Sequence, residues 1–142
     1  MKNTIFTGTA TAIITPFNAD GSVNYDELGR IIDDQIANST DAIVICGTTG
    51  ESATMTDEEH IECIRYAVKH IAGRVPVIAG TGSNDTRYAV ALSKEAEAAG
   101  ADALLLVTPY YNKPSKEGIF RHFEAVSKVG IPIVVYNIKG RT

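Results

Sequence analysis

Ala42-Ile43-Val44-Ile45-Cys46-Gly47-Thr48-Thr49-Gly50-Glu51-Ser52 is the stretch whose pattern settles the fold. Its first five residues are apolar at every position. A strand with one wet face alternates, whereas a strand buried on both faces does not; the second pattern belongs to parallel sheets covered by helices. The run then breaks into glycine, hydroxyl and acid. Thr56 and Glu59 follow with the T-x-x-E spacing of a capping box, ahead of Ile61, Ile64, Val68 and Ile71 at helical spacing. A strand, a polar turn and an amphipathic helix in that order make one βα unit.

Outward from this stretch the unit repeats about every 30 residues. Further apolar runs cover 9–15, 76–79, 103–107 and 133–136. Asn24 and Glu27 open a helix that presents Leu28, Ile31, Ile32 and Ile36 on one face. An alanine-rich helix spans 86–99, capped by Asn84 or Asp85 and closed by Gly100. A fourth begins near Ser115, buries Ile119, Phe123 and Val126, and ends at Gly130. No turn is long enough to serve as an interdomain linker, so residues 1–142 read as one domain. The order (βα)4β predicts an α/β fold with parallel strands and right-handed crossovers. Polar, glycine-rich clusters follow several successive strands. That favours a half (β/α)8 barrel, where function gathers at the strand ends, over an open sheet with one switch point.

Composition narrows the function. The 142 residues are 44% hydrophobic and 21% charged with a formal net charge of −4, which predicts a soluble domain and leaves no basic stripe for nucleic acid. No apolar run reaches membrane-spanning length. Met1-Lys2-Asn3-Thr4 lacks the apolar core of a signal peptide, so a cytoplasmic location is expected. Cys46 and Cys63 read as free buried thiols. His60, His70 and His122 fall on helices, away from any metal-ligand spacing, and neither a metal nor another cofactor is expected.

Four clusters at strand ends remain. Gly47 to Ser52 offers exposed backbone N–H groups and two hydroxyls to a carboxylate or carbonyl oxygen, or serves simply as a βα turn. Gly80-Thr81-Gly82-Ser83-Asn84 lacks the third glycine of a dinucleotide fingerprint and follows the wrong strand for one. Tyr110 and Tyr111 sit in a proline-bounded loop outside any periodic element, which suits a binding site or a subunit interface. Tyr136 ends the fifth strand, where a phenol can relay protons. Arg141 lies five residues later and can hold a carboxylate in a bidentate fork.

Taken in order, AIITPF at 12–17, GTTGES at 47–52, VIAGTGSN at 77–84, TPYYNKP at 108–114 and VVYN at 134–137 make the chain resemble the dihydrodipicolinate synthase and N-acetylneuraminate lyase superfamily. The threonine pair and the PYYNKP loop favour the synthase branch. The resemblance implies condensation of pyruvate with aspartate semialdehyde to 4-hydroxy-tetrahydrodipicolinate through a Schiff base, a lyase step of diaminopimelate and lysine synthesis. It implies that Thr48, Tyr111 and Tyr136 form a proton relay, with Tyr111 reaching into the neighbouring subunit. Thr49 matches the contact to the pyruvate carboxylate and Arg141 the anchor of the aldehyde's carboxylate. Ser52, Ala53, His60, Asn84 and Tyr110 match a lysine-inhibition site. Tyr88 stands where lysine-sensitive members carry an acid, which speaks against feedback inhibition.

The same resemblance places the imine-forming lysine at the end of a sixth strand, which these 142 residues do not include, so no synthase activity is expected from them alone. Lys139, where the family usually has proline, reads as a solvated lysine; an active role would need burial or a neighbouring cation to depress its pKa. Half a barrel leaves open strand edges and an uncovered face, which predicts homo-oligomerisation. Two other readings stand beside this one: a sister aldolase acting on N-acetylneuraminate or a 2-keto-3-deoxy sugar acid, and a non-catalytic module that binds a small acid.

Overall fold

A computed structural model of the chain describes residues 4–138 and 140. Five strands alternate with four helices: β1 Ala10–Ala12, α1 Tyr25–Ala37, β2 Ala42–Ile45, α2 Asp57–Ile71, β3 Val77–Gly80, α3 Thr86–Ala99, β4 Ala103–Val107, α4 Lys116–Ser127 and β5 Ile133–Tyr136. All neighbouring strands pair in parallel, in the order β1-β2-β3-β4-β5. A doubly wound sheet reverses its strand order somewhere. Here each crossover advances one strand in the same direction, as in a barrel. The molecule is half of a (β/α)8 barrel.

The helices begin where the sequence places their caps. Asn24 accepts a hydrogen bond from the Glu27 N–H, and Thr56 and Glu59 complete a reciprocal capping box. At α3 the cap is Asp85, whose side chain accepts from the N–H groups of Arg87 and Tyr88; Asn84 turns elsewhere. Gly100 closes that helix at φ 95°, a left-handed conformation that glycine adopts without penalty. Two boundaries differ from expectation. β1 stops at Ala12 instead of Thr15; after Ile13 donates to the Val44 carbonyl (3.2 Å) the chain leaves the sheet. α4 ends at Ser127, three residues before Gly130, which turns the chain toward β5.

Strand alternation divides the core into two layers. Ile43, Ile45, Val77, Ala79, Leu104 and Leu106 face the helices and pack with Leu28, Ile32, Ile64, Ile71 and Val126. Burying a side chain of this size contributes about 1.5–3 kcal/mol, so this layer holds the sheet to its helices. The other face carries a smaller cluster of Ala42, Val44, Ile78 and Ala103, with Ile5 and Phe6 of the N-terminal segment against it. Ile61 and Ile119, expected on buried helix faces, are only half-buried. His122, by contrast, is 3% exposed, with Nδ1 2.9 Å from the Thr86 hydroxyl.

Candidate active site

The C-terminal ends of β2, β3, β4 and β5 open onto one region, and the backbone there is tightly fitted. After β2, Cys46 takes φ 54°, Thr48–Gly50 forms one turn of 3₁₀ helix, and Glu51 takes φ 55° before a second such turn at Ser52–Thr54. The Thr15 hydroxyl, itself buried, donates to the Gly50 carbonyl at 2.8 Å and ties this loop to the end of the first strand region. Thr15 lies inside the AIITPF string, yet nothing in that string marks its hydroxyl as the tie to this loop. Two glycines hold the next loop close. A Cβ on Gly80 would lie 2.2 Å from the Cys46 carbonyl oxygen, and one on Gly82 would lie 2.5 Å from the Val107 nitrogen. Backbone proximity therefore accounts for the two glycines of the GTGSN loop.

Two cavities lie side by side at these strand ends. The smaller, about 40 Å³, is walled by Thr48, Gly80, Gly82, Leu105 and Tyr136 among others. The larger, about 610 Å³, is walled by Thr48, Ser52, Ala53, His60, Tyr88, Tyr110 and Tyr111 among others. Thr48 is common to both. Ser52, Gly82 and Val107 are shared as well, whereas Tyr136 lines only the smaller cavity and Tyr111 only the larger. Thr49 sits on the same turn, exposed, and lines neither cavity. Asn84 lines neither, but its amide donates weakly to the Tyr110 carbonyl (3.4 Å) and joins the loops after β3 and β4. Arg141 and Lys139 lie outside the described residues.

Tyr111 is the outlier of the site. Its φ is 70° and its ring is 88% exposed, though it belongs to a residue type that avoids the left-handed region. Such backbone strain, together with a large apolar side chain left in solvent, is characteristic of a residue held in place for a partner or ligand.

Electrostatics at the larger cavity rest on three groups. His60 is buried, and its Nε2 donates to the Gly80 carbonyl at 2.8 Å. Burial pushes its pKa down, so the ring is neutral at pH 7. Tyr88 donates its phenol to Asp57 Oδ1 at 2.8 Å. Burial and that carboxylate raise the Tyr88 pKa to about 12. Asp57 thus joins the cavity wall, although the acidic block Asp57-Glu58-Glu59 reads in sequence as a solvated helix face. Glu51 lines the same wall. Beneath them Cys46 and Cys63 are free and fully buried; hydrogen bonding with Cys63 and burial push the Cys46 thiol up. Among the described residues no group of three or more His, Cys, Asp or Glu side chains is placed to hold a metal ion. Among them also, no helix is long and apolar enough to cross a membrane.

Comparison with known proteins places this geometry. Residues 5–142 match the dihydrodipicolinate synthetase family. The chain belongs to that family. It is 60% identical over 139 residues to the 4-hydroxy-tetrahydrodipicolinate synthase of Lachnoclostridium phytofermentans, covering 97% of this chain and 47% of that protein. It is 59% identical over 136 residues to the same enzyme of Neisseria gonorrhoeae, covering 95% and 47% respectively. Among solved structures, the chloride-inhibited dihydrodipicolinate synthase of Acinetobacter baumannii in complex with pyruvate superposes with a TM-score of 0.94 at 45% identity, covering 98% of this chain and 48% of that one. The chain spans about half the length of the curated relatives it matches.

Proposed function

We propose that this chain furnishes the substrate-cradling and proton-transfer half of a pyruvate-condensing Schiff-base lyase site, of the kind that joins pyruvate to aspartate semialdehyde. One observation carries the reading: Thr48 lines both adjoining cavities, with Tyr136 lining one and Tyr111 the other. A threonine hydroxyl accepts one hydrogen bond while donating another, so it can pass a proton between two phenols. Thr49, on the same exposed turn, offers its hydroxyl to the pyruvate carboxylate, and Arg141 is the proposed anchor for the aldehyde's carboxylate. The pyruvate bound in the Acinetobacter baumannii structure supports the choice of keto acid.

Pyruvate becomes a carbon nucleophile in such a site by condensing with a lysine amine and losing a methyl proton from the resulting iminium. The relay receives and returns protons in these steps; the lysine makes the covalent bond. The 142 residues do not include the sixth-strand lysine of the family, so they bind and relay without turnover. Tyr111, strained and projecting into solvent, suits delivery to the site of an adjoining subunit. The open faces of the half-barrel favour self-association when the chain is alone. The test is to incubate the chain with pyruvate and borohydride and to weigh it intact. No adduct is expected, and a stoichiometric pyruvyl adduct overturns the claim of inactivity. Light scattering reports self-association, and a stable monomer counts against it.

A further inference from the structure

Cys46 and Cys63 take no part in the proposed chemistry, yet the fold brings them together from two elements. Cys46 directly follows β2 and directly precedes Gly47 and Thr48. It is buried, and its Sγ lies 3.9 Å from the His60 carbonyl oxygen on α2. Residues three apart share one face of a helix, so His60 and Cys63 lie on the same side of α2. Cys63 is fully buried in the same core layer as Cys46, and the two thiols hydrogen-bond to each other. The phenol of Tyr25, the first residue of α1, hydrogen-bonds to Cys63 as well. Two sulfurs in contact, one at a strand end and one on the helix facing it, are placed to join with little backbone movement.

The pair is asymmetric. The hydrogen bond from Cys46, with that from Tyr25, holds the Cys63 thiol below its ordinary range against the opposing effect of burial. Cys46 is pushed up by its partner and by burial. The thiolate is the nucleophilic form of cysteine, so Cys63 is the attacking sulfur and Cys46 the resolving one. Access to Cys63 runs past Tyr25, which is only partly buried and opens α1; helix ends fray readily. Cys46 adjoins the site from below. It lines the smaller cavity together with Gly47, Thr48 and Tyr136, and its φ of 54° is a left-handed value that a cysteine rarely takes. Any shift of Cys46 toward α2 therefore passes straight to the Gly47-Thr48 turn.

We propose that Cys46 and Cys63 form a reversible, peroxide-driven disulfide that couples oxidation to the position of the Thr48 loop. The Cys63 thiolate attacks one oxygen of hydrogen peroxide. The O–O bond breaks, hydroxide leaves, and Cys63 becomes a sulfenic acid. The Cys46 sulfur then attacks the Cys63 sulfur; the S–S bond forms as the S–O bond breaks, and the thiol proton leaves with the hydroxide as water. The two thiols together lose two hydrogens and two electrons, and one peroxide becomes two waters. A dithiol reductant reverses the bond by thiol–disulfide exchange. The sulfurs must close from hydrogen-bonding distance to about 2.05 Å, which draws Cys46 toward α2 and moves Thr48 with it. This assignment rests on the proposed function only for what moving Thr48 does to the proton relay.

The test is to expose the reduced chain to hydrogen peroxide without denaturant and to weigh it intact. Loss of two hydrogen masses is expected, with a Cys46–Cys63 cross-linked peptide on digestion without reductant and full reversal by dithiothreitol. Cys46→Ala is expected to stop at a sulfenic acid on Cys63 that dimedone labels, and Cys63→Ala to stay unlabelled, both with their helical circular dichroism intact. The measurement on the unsubstituted chain decides the disulfide even where a variant fails to fold. Deuterium uptake of the segment 47–52 is expected to change on oxidation and to return on reduction. A cross-link that forms only in urea, a disulfide between two chains, or overoxidation of Cys63 with Cys46 left reduced overturns the proposal. Dimedone on Cys46 in Cys63→Ala reverses the order of attack and overturns the assignment of roles. Uptake at 47–52 that ignores the cross-link overturns the coupling to the loop. None of these readouts depends on turnover, so their failure is distinct from failure of the proposed function.

Discussion

Gly80→Ala places a methyl group where the structure has no room, and its cost can be set against a control one loop away. The added Cβ would meet the Cys46 carbonyl oxygen at 2.2 Å, the Cys46 carbonyl carbon at 2.7 Å and the Gly47 nitrogen at 2.9 Å. All three are backbone atoms and cannot swing aside as a side-chain tip does. Relief requires β2 and β3 to part at their C-terminal ends. Overpacking of a well-packed interior costs typically about 1–3 kcal/mol, and a backbone obstacle puts this site at the upper end, about 3 kcal/mol. Replacing glycine by alanine also narrows the unfolded ensemble, which returns about 0.4–1 kcal/mol. The expected net loss is about 2 kcal/mol. At Gly47 a Cβ meets only Val44 Cγ1 at 3.6 Å and Leu105 Cδ2 at 3.7 Å, ordinary contacts, and φ is −75°. Gly47→Ala is therefore neutral to stabilising by up to about 1 kcal/mol. Urea unfolding measures both. With a slope of about 2 kcal/mol per molar, Gly80→Ala lowers the midpoint by about 1 M and Gly47→Ala leaves it level or higher. Equal midpoints for the two variants, or a larger loss at Gly47, would refute the close-approach account of this loop.

Three other outcomes follow from the same region. Thr15→Val keeps the shape and leaves the Gly50 carbonyl without its buried donor, a loss of about 1–3 kcal/mol readable by thermal unfolding; an unchanged melting temperature would show that the hydroxyl does not secure the loop. Tyr88→Phe removes a phenol raised to about 12 and its hydrogen bond to Asp57, so the spectrophotometric titration loses one late tyrosine step, while Tyr25, which burial raises further, still titrates after it, and stability falls by about 1 kcal/mol; a titration curve that keeps the step near 12 assigns it elsewhere. His60 and His122 both have folded pKa values below that of the unfolded chain because burial disfavours the charged ring. The unfolded state then binds more protons, so their contribution is whole above about pH 6.5 and is lost as pH falls below it toward the folded values. Urea midpoints at pH 7.5 and 5.5 measure this, and His60→Gln is expected to shrink the difference; a midpoint that rises on acidification contradicts the assignment.

The strands and helices were legible because each rests on a local pattern: unbroken apolar runs for β2 to β5, and N-cap residues for the helices. β1 was overextended since Ile13 and Ile14 look alike in sequence, yet Ile13 is buried and Ile14 half in solvent. Pairing decides between them, and pairing is not local. The sequence offered Asn84 and Asp85 equally as caps for α3; only the direction of the loop gives the cap to Asp85 and sends Asn84 toward Tyr110. In sequence His122 reads only as a helix residue without metal-ligand spacing, and its burial, with Nδ1 on the Thr86 hydroxyl, depends on how α4 packs on α3. At the site, the strand-end positions of Thr48, Tyr111 and Tyr136 were visible as clusters. Their grouping around two adjoining cavities was not, and neither was the entry of Asp57 into a wall formed by two helix starts. The reason Gly80 and Gly82 must be small is a contact across strands, which no pattern along the chain encodes.

The strand order β1-β2-β3-β4-β5 has a consequence for how the chain is made. Every strand pairs with the one synthesised just before it, so no step of assembly waits for a distant segment. Each pairing closes a loop of only one βα unit, about 30 residues, which limits its entropic cost. Growth of the sheet can keep pace with the ribosome, one βα unit at a time, and the strand ends around Thr48 are in position as soon as β3 and β4 have emerged. On such a schedule β5, and Tyr136 with it, joins the site only after β4 has set the edge it pairs with.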